Sequence, residues 1–141
     1  MILHLEENRY FDLESDIGII GRGKTVTSCY EDAAYSLFSL MVDLNAIHPT
    51  QSLNIDFAES DQNFAFVTWL NQLLTRSHTE KLIFSQFRLL HSGDYWLGWA
   101  AGEPYRSDLK LHLNVKGATL NGLSIKEEQG EWEARCVVDI D

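Results

Sequence analysis

The sequence predicts an α+β domain in which two helices cover one face of a β-sheet. Three observations lead there. Two segments carry apolar residues at three- and four-residue steps, the spacing of a helix packed on one side. Residues 109–116 and 131–141 alternate apolar and polar side chains instead, the period of a half-buried strand. Across 141 residues there are only two prolines, Pro49 and Pro104, with no low-complexity stretch and no internal repeat. Nothing marks a linker, so a single domain over residues 1–141 is expected.

Taken in order, residues 8–20 read as the first strand. The first helix is expected to start at Ser28, because Ser28-Cys-Tyr-Glu31 fits a capping box in which hydroxyl and carboxylate each satisfy a free amide of the first turn. Ala33, Ala34, Leu37, Phe38, Met41 and Leu44 form its buried stripe. A short strand at 52–57 precedes the second helix, which starts near Asp61 and is expected to end before Ser77-His78-Thr79. Its broader apolar face (Phe66, Val67, Trp69, Leu70, Leu73, Leu74) predicts deeper packing. Strands at 82–91 and 95–102 follow, joined by a turn at Ser92-Gly93-Asp94. Over 109–116, Leu109, Leu111, Leu113 and Val115 share a face. After a turn at Glu128-Gln129-Gly130, the last strand points Trp132, Ala134, Cys136, Val138 and Ile140 inward. Glu131, Glu133, Arg135, Val137, Asp139 and Asp141 point outward.

Composition narrows the function classes. At 45% hydrophobic and 23% charged residues the chain has enough apolar side chains to build a core, which argues against disorder. Eleven basic against 21 acidic residues give a net charge of −10. Such a field repels phosphate backbones, so stable direct binding of nucleic acid is not expected, and a basic protein partner or a hard cation fits better. Two distant cysteines, Cys29 and Cys136, exclude the usual zinc spacings and a disulfide framework. Acids within the first few residues exclude a signal peptide, and no apolar run reaches the ~18–20 residues of a membrane span. A soluble, cytoplasmic protein in a reducing compartment is the expectation, with no membrane partner.

Two constellations could carry chemistry. Gly18-Ile-Ile-Gly-Arg-Gly23-Lys24-Thr25 matches G-x(4)-G-K-[ST], the loop whose glycines let backbone amides wrap phosphates. It raises the alternative of a small P-loop-type nucleotide-binding or hydrolysing protein. Against it, the capping box puts the helix start at Ser28, several residues late, and Ile19-Ile20 looks like continuing strand. Two helices also cannot supply the crossovers of a parallel sheet. The second constellation is acidic: alternation places Asp12, Glu14 and Asp16 on one face of the first strand, and Asp139 and Asp141 on one face of the last. If those strands are neighbours, the carboxylates repel one another unless protons or a cation neutralise them. Oxygen ligands select a hard divalent ion, Ca²⁺, Mg²⁺ or Mn²⁺. The competing reading is a solvated acidic face, since adjacency of the two strands is not readable from sequence.

Weaker candidates read as structural. Cys29, in the first turn of a helix, has no histidine placed beside it. His4, His48, His78, His91 and His112 show no ligand spacing, and His78 suits a helix C-terminus. Tyr95, Trp96 and Trp99 could stack bases, but in a hairpin they more often pack across strands.

Several stretches together resemble the archease family, in order and over nearly the whole chain. Tyr10-Phe-Asp-Leu-Glu-Ser-Asp16-Ile-Gly18-Ile is similar to its F-x-H/V-T-A-D-I-G segment, followed by Gly-Lys and a helix with Asp32-Ala33-Ala34 and Leu40-Met41-Val42-Asp43. Trp69-Leu70-Asn71 with Leu73-Leu74 resembles W-L-N-E-L-L. Gly102-Glu103-Pro104 and Val115-Lys116-Gly-Ala-Thr119-Leu-Asn121 resemble G-E-P and V-K-A-V-T-Y-H, and Trp132-x-Ala134 through Asp139-Ile140 resembles the ending W-x-A-x-x-x-x-D-I. The chain departs at Leu13-Glu14-Ser15-Asp16, which keeps only the aspartate of H-T-A-D, and at Gly117 and Asn121, which replace an alanine and a histidine. It also runs one residue past the usual terminal isoleucine.

The resemblance implies a two-layer α+β fold with a mixed sheet carrying both helices. It implies a non-enzymatic accessory protein of the RtcB-type RNA ligase, which joins 2′,3′-cyclic-phosphate or 3′-phosphate ends to 5′-hydroxyl ends in tRNA splicing and RNA repair. Archeases promote guanylylation of that ligase by GTP and allow multiple turnover. The family's divalent metal site maps onto Asp16 and Asp139. Ile140 would offer its main-chain carbonyl, and Asp141 a side-chain and a terminal carboxylate. The V-K-A lysine maps onto Lys116, expected at the ligase surface. By the same resemblance, the Gly-Lys before the first helix lies in a β–α turn and cradles no nucleotide.

Overall fold

The computed structural model describes residues 7–141, so His4 lies outside the described residues. The expected first strand is a hairpin. Strand β1 (Tyr10–Leu13) and strand β2 (Asp16–Gly23) pair antiparallel across a two-residue turn, Glu14-Ser15, with Leu13 opposite Asp16. Both turn residues have positive φ, 49° and 80°. That is the twist a two-residue hairpin needs, and it is usually signalled by Asn-Gly or Asp-Gly. Glu14-Ser15 carries no such signal, which is why the alternation ran on through it.

Helix α1 (Val26–Ser39) starts earlier than expected. Thr25 is the N-cap: its hydroxyl accepts the Ser28 amide at 3.0 Å while the Ser28 hydroxyl accepts the Thr25 amide at 2.9 Å. Ser28 therefore holds the third-residue position of the box rather than the cap. Glu31, the expected boxing carboxylate, instead accepts the Leu89 amide at 2.8 Å. The stripe is as expected inside the helix, with Ala33, Ala34, Leu37 and Phe38 buried; Cys29 and Tyr30 join them.

Strand β3 (Gln51–Ala58), helix α2 (Gln62–Glu80), strand β4 (Leu82–Ser92) and strand β5 (Tyr95–Pro104) follow. Asp61 caps α2 by accepting the Asn63 and Phe64 amides at 2.8 and 3.1 Å. The helix continues through Ser77-His78-Thr79 and stops at Lys81, which takes a left-handed conformation and donates its amide to Ser77. Strands β4 and β5 form the expected hairpin, and β3 adds to the other edge of β5.

Residues 109–114 are not a strand. The His112 and Leu113 amides donate to Met41 and Leu40 at 2.8 and 3.1 Å, so this segment ties off the end of α1, and only strand β6 (Val115–Ala118) enters a sheet. Strand β7 (Ser124–Glu128) and strand β8 (Glu131–Ile140) turn at Gln129-Gly130, φ 52° and 80°.

The α+β class and its two helices stand. The strands, however, form two sheets rather than one mixed sheet: β1-β2-β8-β6 with β7 also on β8, and β3-β5-β4. Among the described residues every ladder is antiparallel. Helix α1 packs on β2 and β8 of the first sheet and on β4 of the second, so it joins them. The aromatic centre is Tyr30, 4.8 Å from Phe66 and stacked on Trp96 at 5.6 Å. The indoles of Trp69 and Trp96 donate to the Tyr30 and Glu59 carbonyls. Among the described residues no helix is long and apolar enough to cross a membrane.

Candidate functional site

The beginning and the end of the chain meet. Strand β2 lies beside β8, and the register runs from Gly23 opposite Trp132 to Ile17 opposite Val138. The ladder ends at that pair; carried one step further, the same register sets Asp16, the first residue of β2, opposite Asp139. Side chains directly opposite in an antiparallel ladder share a face, with Cβ atoms about 4.5–5.5 Å apart. Both aspartates are exposed, and among the described residues neither side chain takes part in an ion pair or hydrogen bond. Two like charges placed so cost about 0.2–1 kcal/mol.

The rest of the expected acidic set is dispersed. Because the chain turns at Glu14-Ser15, Asp12 faces Ile17 across the hairpin and so lies on the opposite sheet face from Asp16. Glu14 sits in the turn. Beyond Asp139, Ile140 pairs with Val115, while Asp141 is pinned to Asn114: its amide donates to the Asn114 carbonyl at 2.8 Å, and its carboxylate accepts the Asn114 side-chain amide at 3.0 Å. Lys116 stands at a β-bulge. Val115 pairs with Ile140 and Gly117 with Asp139, leaving Lys116 as the extra residue beside Asp139. Bulges re-aim side chains at the rims of sheets. Simple alternation could not show this.

The outer face beneath these residues is packed. Phe11 covers Gly18, where a Cβ would come within 2.0 Å of the ring, and Arg135 stacks on Phe11 at 4.8 Å. The Thr119 amide donates to the Val137 carbonyl, and the Val137 amide to the Asn121 carbonyl, which continues the edge of β8 toward the acidic end. Val137, expected outward, is buried there.

Oxygen-only donors suit a hard cation. Among the described residues no three of His, Cys, Asp and Glu stand together so as to hold a metal ion. Two carboxylates alone do not make an all-protein cage; Mg²⁺ is commonly bound through one or two carboxylates with the rest of its shell water.

The P-loop reading fails on one of the grounds expected, the continuing strand, and not on the late helix start. The helix does begin right after Lys24-Thr25. What excludes a phosphate cradle is that Gly18 to Gly23 lie inside β2, laddered to β8 along that length. At Gly21 a Cβ would come 2.2 Å from the Cys29 carbonyl and 2.3 Å from the Ala33 amide, so that glycine lets α1 pack on the strand. Lys24 pairs with Glu131.

Both cysteines are buried, and burial pushes each thiol up to about 12, helped at Cys29 by the nearby Asp32 carboxylate. Trp96 is core, and His91 stacks on it at 3.7 Å; Tyr95 is exposed. One group escaped the residue-level reading. Glu103, only 7% exposed, accepts the His48 amide and binds the Arg106 guanidinium with both oxygens at 2.9 Å. The His48 amide foremost, then Arg106, hold its carboxyl below the usual range. Gly102-Glu103-Pro104 was its only trace in the sequence.

The model of a family described as the Archease protein family matches residues 9–140. A protein archease from Methanopyrus kandleri is 32% identical over 114 residues, covering 77% of this chain and 81% of that one. In fold, the chain resembles the solution structure of a Methanobacterium thermoautotrophicum protein (TM-score 0.79, 24% identity, 93% and 96% of the two chains). It also resembles the crystal structure of a Thermotoga maritima protein described as an archease, possible chaperone (TM-score 0.65, 14% identity, 96% and 99%). The two solved structures speak for the fold alone. With a family match spanning both arms of the β2–β8 ladder and everything between them, this chain belongs to the archease family.

Proposed function

We propose that this chain is a non-enzymatic accessory protein that activates an RtcB-type RNA ligase, promoting its guanylylation by GTP and its repeated turnover. Family membership supports this, together with one observation: the β2–β8 register, ending at Ile17 opposite Val138, runs toward Asp16 and Asp139 at an exposed sheet end, with the bulged Lys116 alongside. Asp16 and Asp139 would hold a divalent cation, with the Ile140 carbonyl and Asp141 close by in the chain. Such an ion would supply positive charge toward anionic groups of the partner. The chain's own part is electrostatic and positional. A body of net charge −10 is drawn to the basic groove of an enzyme that handles RNA, and Lys116 offers a point charge at the same edge.

The test is guanylylation of the cognate ligase with GTP, with and without this protein. Acceleration by the wild type, lost in Asp16→Asn and Asp139→Asn variants that still fold, is the expected result. No acceleration with the cognate ligase would remove the functional claim.

A further inference from the structure

A cavity of ≈ 610 Å³ opens between the C-terminal end of α2 and the irregular segment after β5. That volume is in the range of small-molecule pockets, ~300–1,000 Å³. Its floor is apolar: Phe38 from α1 and Met41 just past it, Leu74 from α2, and Leu113 from the crossing segment. Tyr105 and Leu111 stand at its rim, 51% and 55% exposed.

The polar wall carries one sign of charge. The chain has 21 acidic residues against 11 basic ones, yet among the described residues no carboxylate lines this cavity, whereas His78, Lys81 and His112 do. Among the described residues none of these three side chains takes part in a hydrogen bond or ion pair. Lys81 is also unusual in its backbone. It ends α2 with φ 58° and ψ 43°, a position where glycine is the default because a Cβ is disfavoured. A lysine there costs backbone energy that glycine would avoid, and it adds an exposed cationic residue to the cavity lining.

We propose that this cavity binds a small amphipathic monoanion, with an aliphatic body of about ten carbons on the apolar floor and a carboxylate head at Lys81. His78 and His112 donate ring N–H groups to the same head. A neutral imidazole keeps one such donor, so their part does not depend on protonation.

Decanoate is the probe, titrated into the full chain and followed by backbone amide chemical shifts. Decanol serves as the neutral control and acetate as the head-only control. Saturable shifts at residues 78, 81, 112 and 113 with decanoate are expected. Binding of decanol should be about tenfold weaker, and acetate should produce none, since the charge-assisted contact and the apolar floor both contribute. Lys81→Gly should weaken decanoate about tenfold while its melting temperature holds or rises, which separates lost binding from lost folding; Lys81→Arg should retain affinity. Equal affinity for decanol, unchanged affinity in Lys81→Gly, or shifts centred elsewhere would each overturn the assignment.

Discussion

Replacing Gly21 by alanine tests whether the glycines of the G-x(4)-G-K-[ST] stretch serve packing or phosphate binding. In an ordinary strand Gly→Ala is favourable by about 0.5–1 kcal/mol, because glycine loses more backbone freedom on folding. Here the added methyl would sit 2.2 Å from the Cys29 carbonyl, 2.3 Å from the Ala33 amide and 2.6 Å from the Ala33 Cβ. Ordinary contact begins near 3.4 Å, so α1 must retreat by roughly 1.2 Å along its contact with β2. Two of the three obstacles are helix backbone and cannot rotate away. Overpacking of this kind costs typically 1–3 kcal/mol and occasionally more, and this site belongs at the upper end. After the entropic gain, a net loss of about 2–3 kcal/mol remains, a fall in melting temperature on the order of 10 °C for a chain of this length. Gly93→Ala is the control: φ is +60° but nothing lies within 4 Å, so only a left-handed penalty of roughly 1–2 kcal/mol applies. Thermal unfolding followed by circular dichroism, with and without GTP or ATP, reads both effects. A Gly21→Ala variant that melts within a degree of the wild type, or a wild type stabilised by nucleotide, would refute the packing account.

Other consequences are testable in the same way. Glu103 has a lowered folded pKa, so its contribution to stability is present above the unfolded pKa and is lost as pH falls through the folded one. Glu103→Gln should therefore lower the melting temperature at pH 7 and flatten its acid decline. Glu31 has the opposite sign: burial, partly offset by the Leu89 amide and Arg88, raises its pKa, so its contribution fades as pH rises through the folded value. Glu31→Gln should stabilise at pH 7 and lose that advantage below about pH 4.3. Both thiols, pushed up to about 12, should resist iodoacetamide at pH 8 in the native protein and react only at the rate of unfolding, as quantified by mass spectrometry. Asp16→Asn should raise the melting temperature slightly in chelator by relieving the charge opposite Asp139, worth about 0.2–1 kcal/mol. It should also abolish any stabilisation by added Ca²⁺, Mg²⁺ or Mn²⁺, which for the wild type at tenfold excess over Kd is about 1.4 kcal/mol. Metal-independent melting of the wild type would remove the cation from the account.

Local chemistry was readable without coordinates. The helical stripes, the start of the second helix near Asp61, the turns at Ser92-Gly93-Asp94 and Glu128-Gln129-Gly130, and the strands at 52–57, 82–91, 95–102 and 131–141 all follow from periodicity and turn residues close in sequence. The Glu14-Ser15 turn escaped because its left-handed residues are held by the ladder on either side, not by their own preference. Ser28 with Glu31 three residues on has the spacing of a cap, but Thr25 takes the cap position and Glu31 binds the Leu89 amide of β4. Residues 109–114 alternate like a strand, yet the His112 and Leu113 amides are taken by Met41 and Leu40 at the end of α1.

The candidate site divides along the same line. Residue types and spacing made Asp16 and Asp139 visible as acids on strand faces, and the family resemblance paired them. Their opposition depends on β2 and β8 being neighbours in one register, across more than a hundred intervening residues. Alternation has a period of two and specifies a face, never a partner. Partner and register are chosen when the strands bury a common surface against α1, where Ile17, Ile19, Cys136 and Val138 exclude water together. The same burial decided that Lys116 would fall at a bulge beside Asp139, a position defined only by the two strands that flank it.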